Sequence, residues 1–164
     1  MARRYVVKID NVAHSAADLV AYVCCPPIPG GSSVEGKITV KQMSLSIGNA
    51  TSAAAQMVQL YWGTYSASGL SLPTGGTTGA VYKVLPGDAN ATFQWGYGPF
   101  SAGPSGSVLS YTWESSKYAY LGWDRDDLNG GIELCGGQLA LLGIQTAPIG
   151  TINFYGTIVI EENF

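Results

Sequence analysis

The residues that could carry catalysis are few and widely spaced. His14 is the only histidine among the 164 residues, and histidine is the most versatile general base near neutral pH. A nucleophilic pair would need one of the cysteines to meet His14 in space, and no spacing in the sequence predicts that. The eleven Asp and Glu residues could supply a glycosidase-like pair, but almost any two carboxylates satisfy that pattern. We therefore expect no enzyme, no catalytic residue and no cofactor, and a hydrolase is only a third hypothesis.

The three cysteines also fail to predict a metal site. Cys24 and Cys25 are adjacent, Cys135 is distant, and no pair has the C-x-x-C spacing typical of zinc ligands. One long-range disulfide, for example to Cys135, is an open alternative. Free buried thiols are the favoured interpretation, because they suit folding in a reducing cytoplasm.

The acidic segment 124–130, with sequence Asp-Arg-Asp-Asp-Leu-Asn-Gly, is the one dense charge cluster. Its oxygen ligands could hold calcium between subunits. The helix–loop–helix calcium pattern does not fit, because Arg125 stands where the first Asp belongs and Gly136 where the closing Glu belongs. A solvated acidic loop ending in an Asn-Gly turn is the alternative, and it is the one we favour.

The composition is short of charge. Charged residues make up 12% of the chain, about half the roughly 25% typical of soluble domains. Between Gln42 and Trp113 the charged residues are Lys83 and Asp88 alone. With a net charge of −3, a pI near 4.9 and a small basic N-terminus, direct nucleic-acid binding is not expected. No apolar run approaches the roughly 18–20 residues of a membrane-spanning helix, so no membrane association is expected either.

The same charge-poor segment is rich in aromatic residues. Interface cores lose charge and gain Tyr, Trp and Phe, so this composition predicts a surface that other subunits cover. The alternative is that half or more of these rings fill the domain's own core. The predicted oligomer interface consists of Tyr61, Tyr65, Tyr82, Trp95, Tyr97, Phe100 and Tyr111.

The elements that must position these residues are strands, because apolar residues recur with a period of two. In 37–41 the apolar side chains are even-numbered, and in 43–47 they are odd-numbered. This change of phase predicts a β-bulge or bend near Lys41-Gln42. The predicted strands are 5–9, 19–24, 37–47, 58–62, 81–85, 92–95, 108–113, 118–123, 139–144 and 152–160.

Turn signals rich in Gly and Pro separate these strands, and no linker or repeat divides the chain. We predict one domain over residues 1–164. Its fold class is all-β: a single-domain antiparallel β-sandwich, jelly-roll-like, with eight to ten short strands.

The C-terminal segment also carries a family resemblance. The run Gly136-Gly137-Gln138-Leu139-Ala140-Leu141, the Ala147-Pro148 turn and the final strand 151–162, which ends in Glu161-Glu162, resemble the closing strands of small phage and phage-like virion proteins. The resemblance implies a capsid, decoration (cement) or spike subunit with a jelly-roll or related sandwich fold. It implies self-assembly in the virion, formed in the host cytoplasm, and contact with copies of the chain or a capsid lattice.

Two functional hypotheses of different classes remain. The first is a virion structural protein that buries an uncharged aromatic surface between subunits. The second is a carbohydrate-binding sandwich, such as a receptor-binding spike, in which Trp95, Tyr97, Trp113 and Trp123 would stack on a glycan.

Overall fold

The computed structural model describes residues 2–26, 36–48, 56–66, 71–104 and 109–163, and these contain ten strands and no helix. The strands are β1 Ala2–His14, β2 Leu19–Cys24, β3 Lys37–Gly48, β4 Met57–Ser66, β5 Val81–Lys83, β6 Gln94–Tyr97, β7 Leu109–Tyr118, β8 Trp123–Leu134, β9 Gln138–Ile144 and β10 Ile152–Asn163.

Two five-stranded antiparallel sheets pack face to face. Sheet A has the order β5-β1-β10-β3-β8, and sheet B has the order β6-β2-β9-β4-β7. Without the short strands β5 and β6, the remaining eight pair as one long hairpin: β1 with β10, β2 with β9, β3 with β8, and β4 with β7. The β3–β10 and β4–β9 pairings roll that hairpin into two layers. This strand order is a jelly roll, so the predicted fold class is confirmed.

The core lies between the two sheets because each strand turns alternate apolar side chains inward. Tyr5, Ile158 and Met43 contribute from sheet A, and Leu60 and Trp62 contribute from sheet B, all fully buried. A second, smaller apolar cluster lies on the opposite side of sheet B.

The β-bulge predicted from the phase change in β3 is present. Gln42 pairs with Val159 and Val40 pairs with Ile160, so Lys41 is the extra residue. The bulge keeps Val40 and Met43 both in the core although they have opposite parity.

One strand prediction and one loop prediction near β8 are wrong. Residues 119–122 form a turn, closed by a hydrogen bond from the Leu121 N–H to the Tyr118 carbonyl, with Gly122 at a φ of 60°. The segment 124–130, predicted as a solvated loop, lies instead within strand β8. Arg125 and Asn129 have positive φ and lie where the pairing with β3 is interrupted. Because the pairing is irregular there, inward and outward side chains do not alternate regularly along β8, and the sequence shows no period of two.

Candidate functional site

Charge is divided between the two sheets. Strands β2, β4, β6 and β9 contain no charged residue, and β7 contains only Glu114 and Lys117. Sheet A carries charge on all five strands, including an Arg4–Glu161 ion pair at 2.9 Å and a Lys41–Glu161 contact at 3.7 Å. Of the strands of sheet B, only β4, β6 and part of β7 belong to the charge-poor segment 42–113. The shortage of charge is therefore a property of sheet B, to which β2 and β9 also belong.

Part of the outer face of sheet B is covered by the chain itself. Tyr22 and Cys24 of β2 and Leu139 and Leu141 of β9 turn away from the main core and are buried in the second cluster. Leu72 and Phe100, from the described part of the chain between β4 and β7, pack on this cluster, with Phe100 against Tyr22 at a ring distance of 5.8 Å. Phe100, one of the predicted interface residues, thus acts within the domain as a cover.

The β4–β7 side of the same face carries three more of the predicted interface residues. Tyr61 and Tyr65 are half-buried on β4, and Tyr111 on β7 is 55% exposed. Tyr61 and Tyr111 meet edge to face at a ring distance of 5.1 Å. We call the surface formed by Tyr61, Tyr65 and Tyr111 the tyrosine face.

A glycine on the neighbouring strand determines how the Tyr61 ring lies. A Cβ at Gly143 would stand 2.5 Å from the Tyr61 ring and hydroxyl, so the missing side chain lets the ring lie flat across β9. Burial raises the pKa of Tyr61, and the neighbouring Tyr111 and Tyr65 raise it further. Tyr61 is therefore uncharged at neutral pH, and the face presents rings with hydroxyl groups, a composition typical of interface cores.

The other predicted interface residues lie elsewhere. Tyr82 is 55% exposed on β5, the edge strand of sheet A. Trp95 is 2% exposed in the main core, and Tyr97 packs beside it at a ring distance of 5.6 Å. The seven residues therefore do not form one surface, because strands β4 and β7 contribute to sheet B whereas β5 contributes to sheet A.

The rings considered for glycan stacking are mostly inaccessible. Trp95, Trp113 and Trp123 are each at most 8% exposed, and the Trp123 indole N–H donates to the Ser115 hydroxyl. Of the four candidates, only Tyr97 is partly exposed.

His14 ends β1 as a buried residue. It is 1% exposed, its Nδ1 lies 3.4 Å from an Asp18 carboxylate oxygen, and its Nε2 is buried without a hydrogen-bond partner. Burial lowers the pKa of His14 more than Asp18 raises it. The thiols of Cys24 and Cys25 donate to the backbone carbonyls of Cys25 and Gly36 instead of to the His14 ring.

All three cysteines are free thiols. Burial raises the pKa of Cys24 and of Cys25 to about 11, so both are protonated and poorly nucleophilic at neutral pH. Cys25 donates to the Gly36 carbonyl at 3.6 Å.

Glu162 is a buried carboxylate that the sequence did not single out. It is completely buried at the end of β10, where its Oε1 accepts from the N–H of Thr92, the hydroxyl of Thr92 and the N–H of Phe93 at 2.7–3.0 Å. Tyr5 lies close enough for the charge of Glu162 to raise its pKa, after the larger effect of burial. Glu162 therefore fixes the segment before β6 to the end of sheet A.

Asp126 and Asp127 of β8 accept hydrogen bonds from different partners. Both Asp126 carboxylate oxygens accept from Lys117 at 3.0 Å, which links β8 of sheet A to β7 of sheet B. Asp127 accepts from the Gly130 N–H. Within the described ranges, no three His, Cys, Asp or Glu side chains are grouped as metal ligands would be.

Comparison with known proteins found no matching family model, curated protein or solved structure. Nor does any described segment form a helix with the length and apolarity needed to span a membrane. The functional inference therefore depends on the arrangement of this chain's own residues.

Proposed function

We propose that this chain is a structural subunit of a virus particle, acting as a capsid, decoration or spike component, and that it assembles with copies of itself by burying the tyrosine face. The observation that carries the proposal is the charge-poor outer surface of sheet B, on which Tyr111 is exposed and Tyr61 is half-buried beside a self-covered half.

The tyrosine face suits association because little charge must be desolvated. Buried charges are costly unless they are paired, whereas tyrosine rings supply apolar area and hydroxyl groups that hydrogen-bond at a wet rim. Glu114, which pairs with Tyr61 across the β4–β7 ladder, is the nearest charge on the face. The opposite surface of the sandwich, on sheet A, carries the ion pairs and suits solvent or a polar neighbour.

The strand order gives secondary support. Jelly rolls recur in viral shell proteins and in lectin domains, so the fold alone does not separate these classes. The burial of Trp95, Trp113 and Trp123 removes three of the four rings predicted to stack on a glycan. Assembly is the function that the exposed residues support best.

The test is a measurement of native mass as a function of concentration, followed by electron microscopy of the product. Wild-type protein is expected to form oligomers or closed shells. Tyr111→Glu places a carboxylate in the tyrosine face, beside Tyr61, and is expected to weaken that contact at least about tenfold, equivalent to about 1.4 kcal/mol.

Lys8→Glu is the matched control, because it introduces the same carboxylate at an exposed position on sheet A. It is expected to assemble as the wild type does. A wild-type protein that stays monomeric at high concentration, or a Tyr111→Glu variant that assembles unchanged, would contradict the proposed use of the face.

A further inference from the structure

The most exposed large apolar side chains are not scattered over the surface. Among the described residues, and apart from Tyr111, they fall into two groups at separate places in the fold. We call Met57, Tyr118, Tyr120, Leu121 and Ile149 the turn patch, and Tyr82, Val84 and Leu85 the edge patch. All are 46–65% exposed. Contiguous exposed apolar groups mark interaction sites more often than single ones do.

The members of the turn patch are held together by specific contacts. Met57 and Tyr118 are cross-strand partners, and Tyr118 stacks on Tyr120 at a ring distance of 5.9 Å and an angle of 20°. Gln56 fixes Ile149 beside them, donating to its carbonyl at 3.1 Å and accepting from its N–H at 2.8 Å. The patch is therefore built on a defined backbone.

The edge patch lies on and just after β5. Val81–Lys83 pairs with residues 5–7 of β1, and the Val84 N–H continues the contact by donating to the Arg4 carbonyl at 3.0 Å. Since β5 has only three residues and no further partner in the strand order of sheet A, Tyr82, Val84 and Leu85 stand at an open edge.

The two patches occupy diagonally opposite corners of the sandwich. The edge patch follows β5, at one edge of sheet A, beside the start of β1. The turn patch surrounds the turn that precedes β8. Strand β8 forms the other edge of sheet A. The start of β8 lies at the same end as the start of β10, where Ile152 pairs with His14 at the end of β1.

Side chains of opposite sign lie beside the two patches, together with Asp88 near the edge patch and Arg125 next to Asp124. Lys83 is exposed within the edge patch, and Arg4 is exposed beside it. Asp124 is exposed just after the turn patch, where it lines a shallow cavity together with Leu121. Contact between a turn patch and an edge patch would therefore bring Asp124 of one copy toward Lys83 of the next.

We propose that the turn patch of one copy binds the edge patch of another, in a head-to-tail contact separate from the tyrosine face. The inference rests on the proposed function for the nature of the partner, a second copy of this chain. A contact between two different patches is heterologous and can propagate into a ring or a lattice, whereas a self-complementary contact ends at a dimer.

The experiment isolates this contact by placing every variant in a Tyr111→Glu background. That background alone is expected to form a concentration-dependent series of oligomers. Leu121→Glu disables the turn patch and Leu85→Glu disables the edge patch, so each is expected to be monomeric by native mass spectrometry. Mixing the two, with one isotopically labelled, should give a one-to-one heterodimer and nothing larger, since one intact patch of each kind remains.

Complementation also shows that both variants are folded, because an unfolded partner would not bind. A homodimer of Leu85→Glu alone would mean that the turn patch pairs with itself, and would overturn the proposal. A monomeric background, or a mixture that stays monomeric, would also overturn it. Tyr120→Glu and Val84→Glu provide a second pair of variants with the same expectations.

The charge pair gives an independent readout. Lys83→Asp and Asp124→Lys should each weaken the association in the Tyr111→Glu background, and combining them in one chain should restore it. Lys8→Glu in that background should have no effect. Equal weakening without restoration would exclude the proposed juxtaposition of the two corners.

The failure of this inference and that of the proposed function give different results. If Tyr111→Glu weakens wild-type assembly while both corner variants assemble normally, the tyrosine face stands and the head-to-tail contact fails. If the corner variants complement each other while Tyr111→Glu has no effect on wild-type assembly, the head-to-tail contact stands and the proposed use of the tyrosine face fails.

Discussion

At the scale of single residues, the buried histidine makes stability depend on pH. The pKa of His14 is lowered in the fold, so the unfolded chain binds a proton at a higher pH than the folded chain does. The stability associated with a neutral His14 is therefore complete above the unfolded pKa near 6.5 and is lost as the pH falls below it. Asp18, at 3.4 Å and half-exposed, reduces this effect without reversing it.

We expect urea unfolding midpoints to fall between pH 7.5 and pH 5.5, with a smaller fall for His14→Gln. Asp18→Asn should steepen the wild-type dependence, because it removes the group that favours the protonated ring. An identical pH dependence in wild type and His14→Gln would show that other groups cause it.

Two adjacent glutamates give a matched comparison at the same scale. Glu162→Ala should lower the free energy of unfolding by about 3 kcal/mol, because it leaves the buried N–H groups of Thr92 and Phe93 without their acceptor. Glu161→Ala should cost about 1 kcal/mol, since its partner Arg4 is largely exposed. Chemical denaturation gives both values, and equal losses would contradict this account.

Residue identity alone predicted part of the candidate site. Tyr61, Tyr65 and Tyr111 were placed in an uncharged surface, and the structure gathers them on one face. Trp95 was grouped with them, but a tryptophan in a charge-poor segment has the same composition signal whether it faces the core or a partner. Glu162 was missed because its role depends on Thr92 and Phe93, which are remote in sequence.

At the scale of strands, the close approach of β3 and β10 depends on a glycine. A Cβ at Gly156 would overlap the carbonyl oxygen of Ser44 on the paired strand, in the middle of sheet A. Gly156→Ala is therefore expected to lower the free energy of unfolding by about 3 kcal/mol, or about 6–12 °C in Tm for a domain of this size. Differential scanning calorimetry measures this directly.

Gly87→Ala is the control for that substitution. A Cβ at Gly87 would meet no atom within 4 Å, and its φ is not positive. Its stability should change by less than about 0.5 kcal/mol. A similar loss in both variants would contradict the packing explanation.

Strand prediction succeeded where alternation was undisturbed. The bounds of β2 were predicted without error, and the phase change in β3 located the bulge at Lys41. Strand β8 was not predicted, because its irregular pairing with β3 breaks the alternation of apolar residues and its Asp residues disfavour strands. The turn at 119–122 was predicted as a strand because alternating tyrosines there match the strand pattern.

At the scale of the whole molecule, the division of charge between the sheets predicts how assembly responds to salt. The side chains of the tyrosine face carry no charge and Glu114 is the charged residue paired with Tyr61, so raising the salt from about 0.05 M to about 0.5 M should change contacts through this face little. The corner contact includes Lys83 and Asp124 and should weaken over the same range. Light scattering on Tyr111→Glu reports the corner contact. Light scattering on Leu121→Glu in a chain that keeps Tyr111 reports the contact through the tyrosine face.

The division of charge could not be predicted from the linear sequence. The sequence predicts that the charge-poor segment 42–113 forms the interface surface. In the structure, β5 from within this segment joins sheet A, and β2 and β9 from outside it join sheet B. Only the pairing of strands far apart in sequence reveals which uncharged segments share a face.

The position of β10 has a consequence for synthesis of the chain. The last strand described lies between β1 and β3, at the centre of sheet A, so these two strands are made early and wait for the last of the ten described strands. Until then β1 and β3 keep open edges that can pair with other nascent chains. Ribosome-bound or truncated intermediates should therefore be the most aggregation-prone forms, and slower translation would lengthen their exposure.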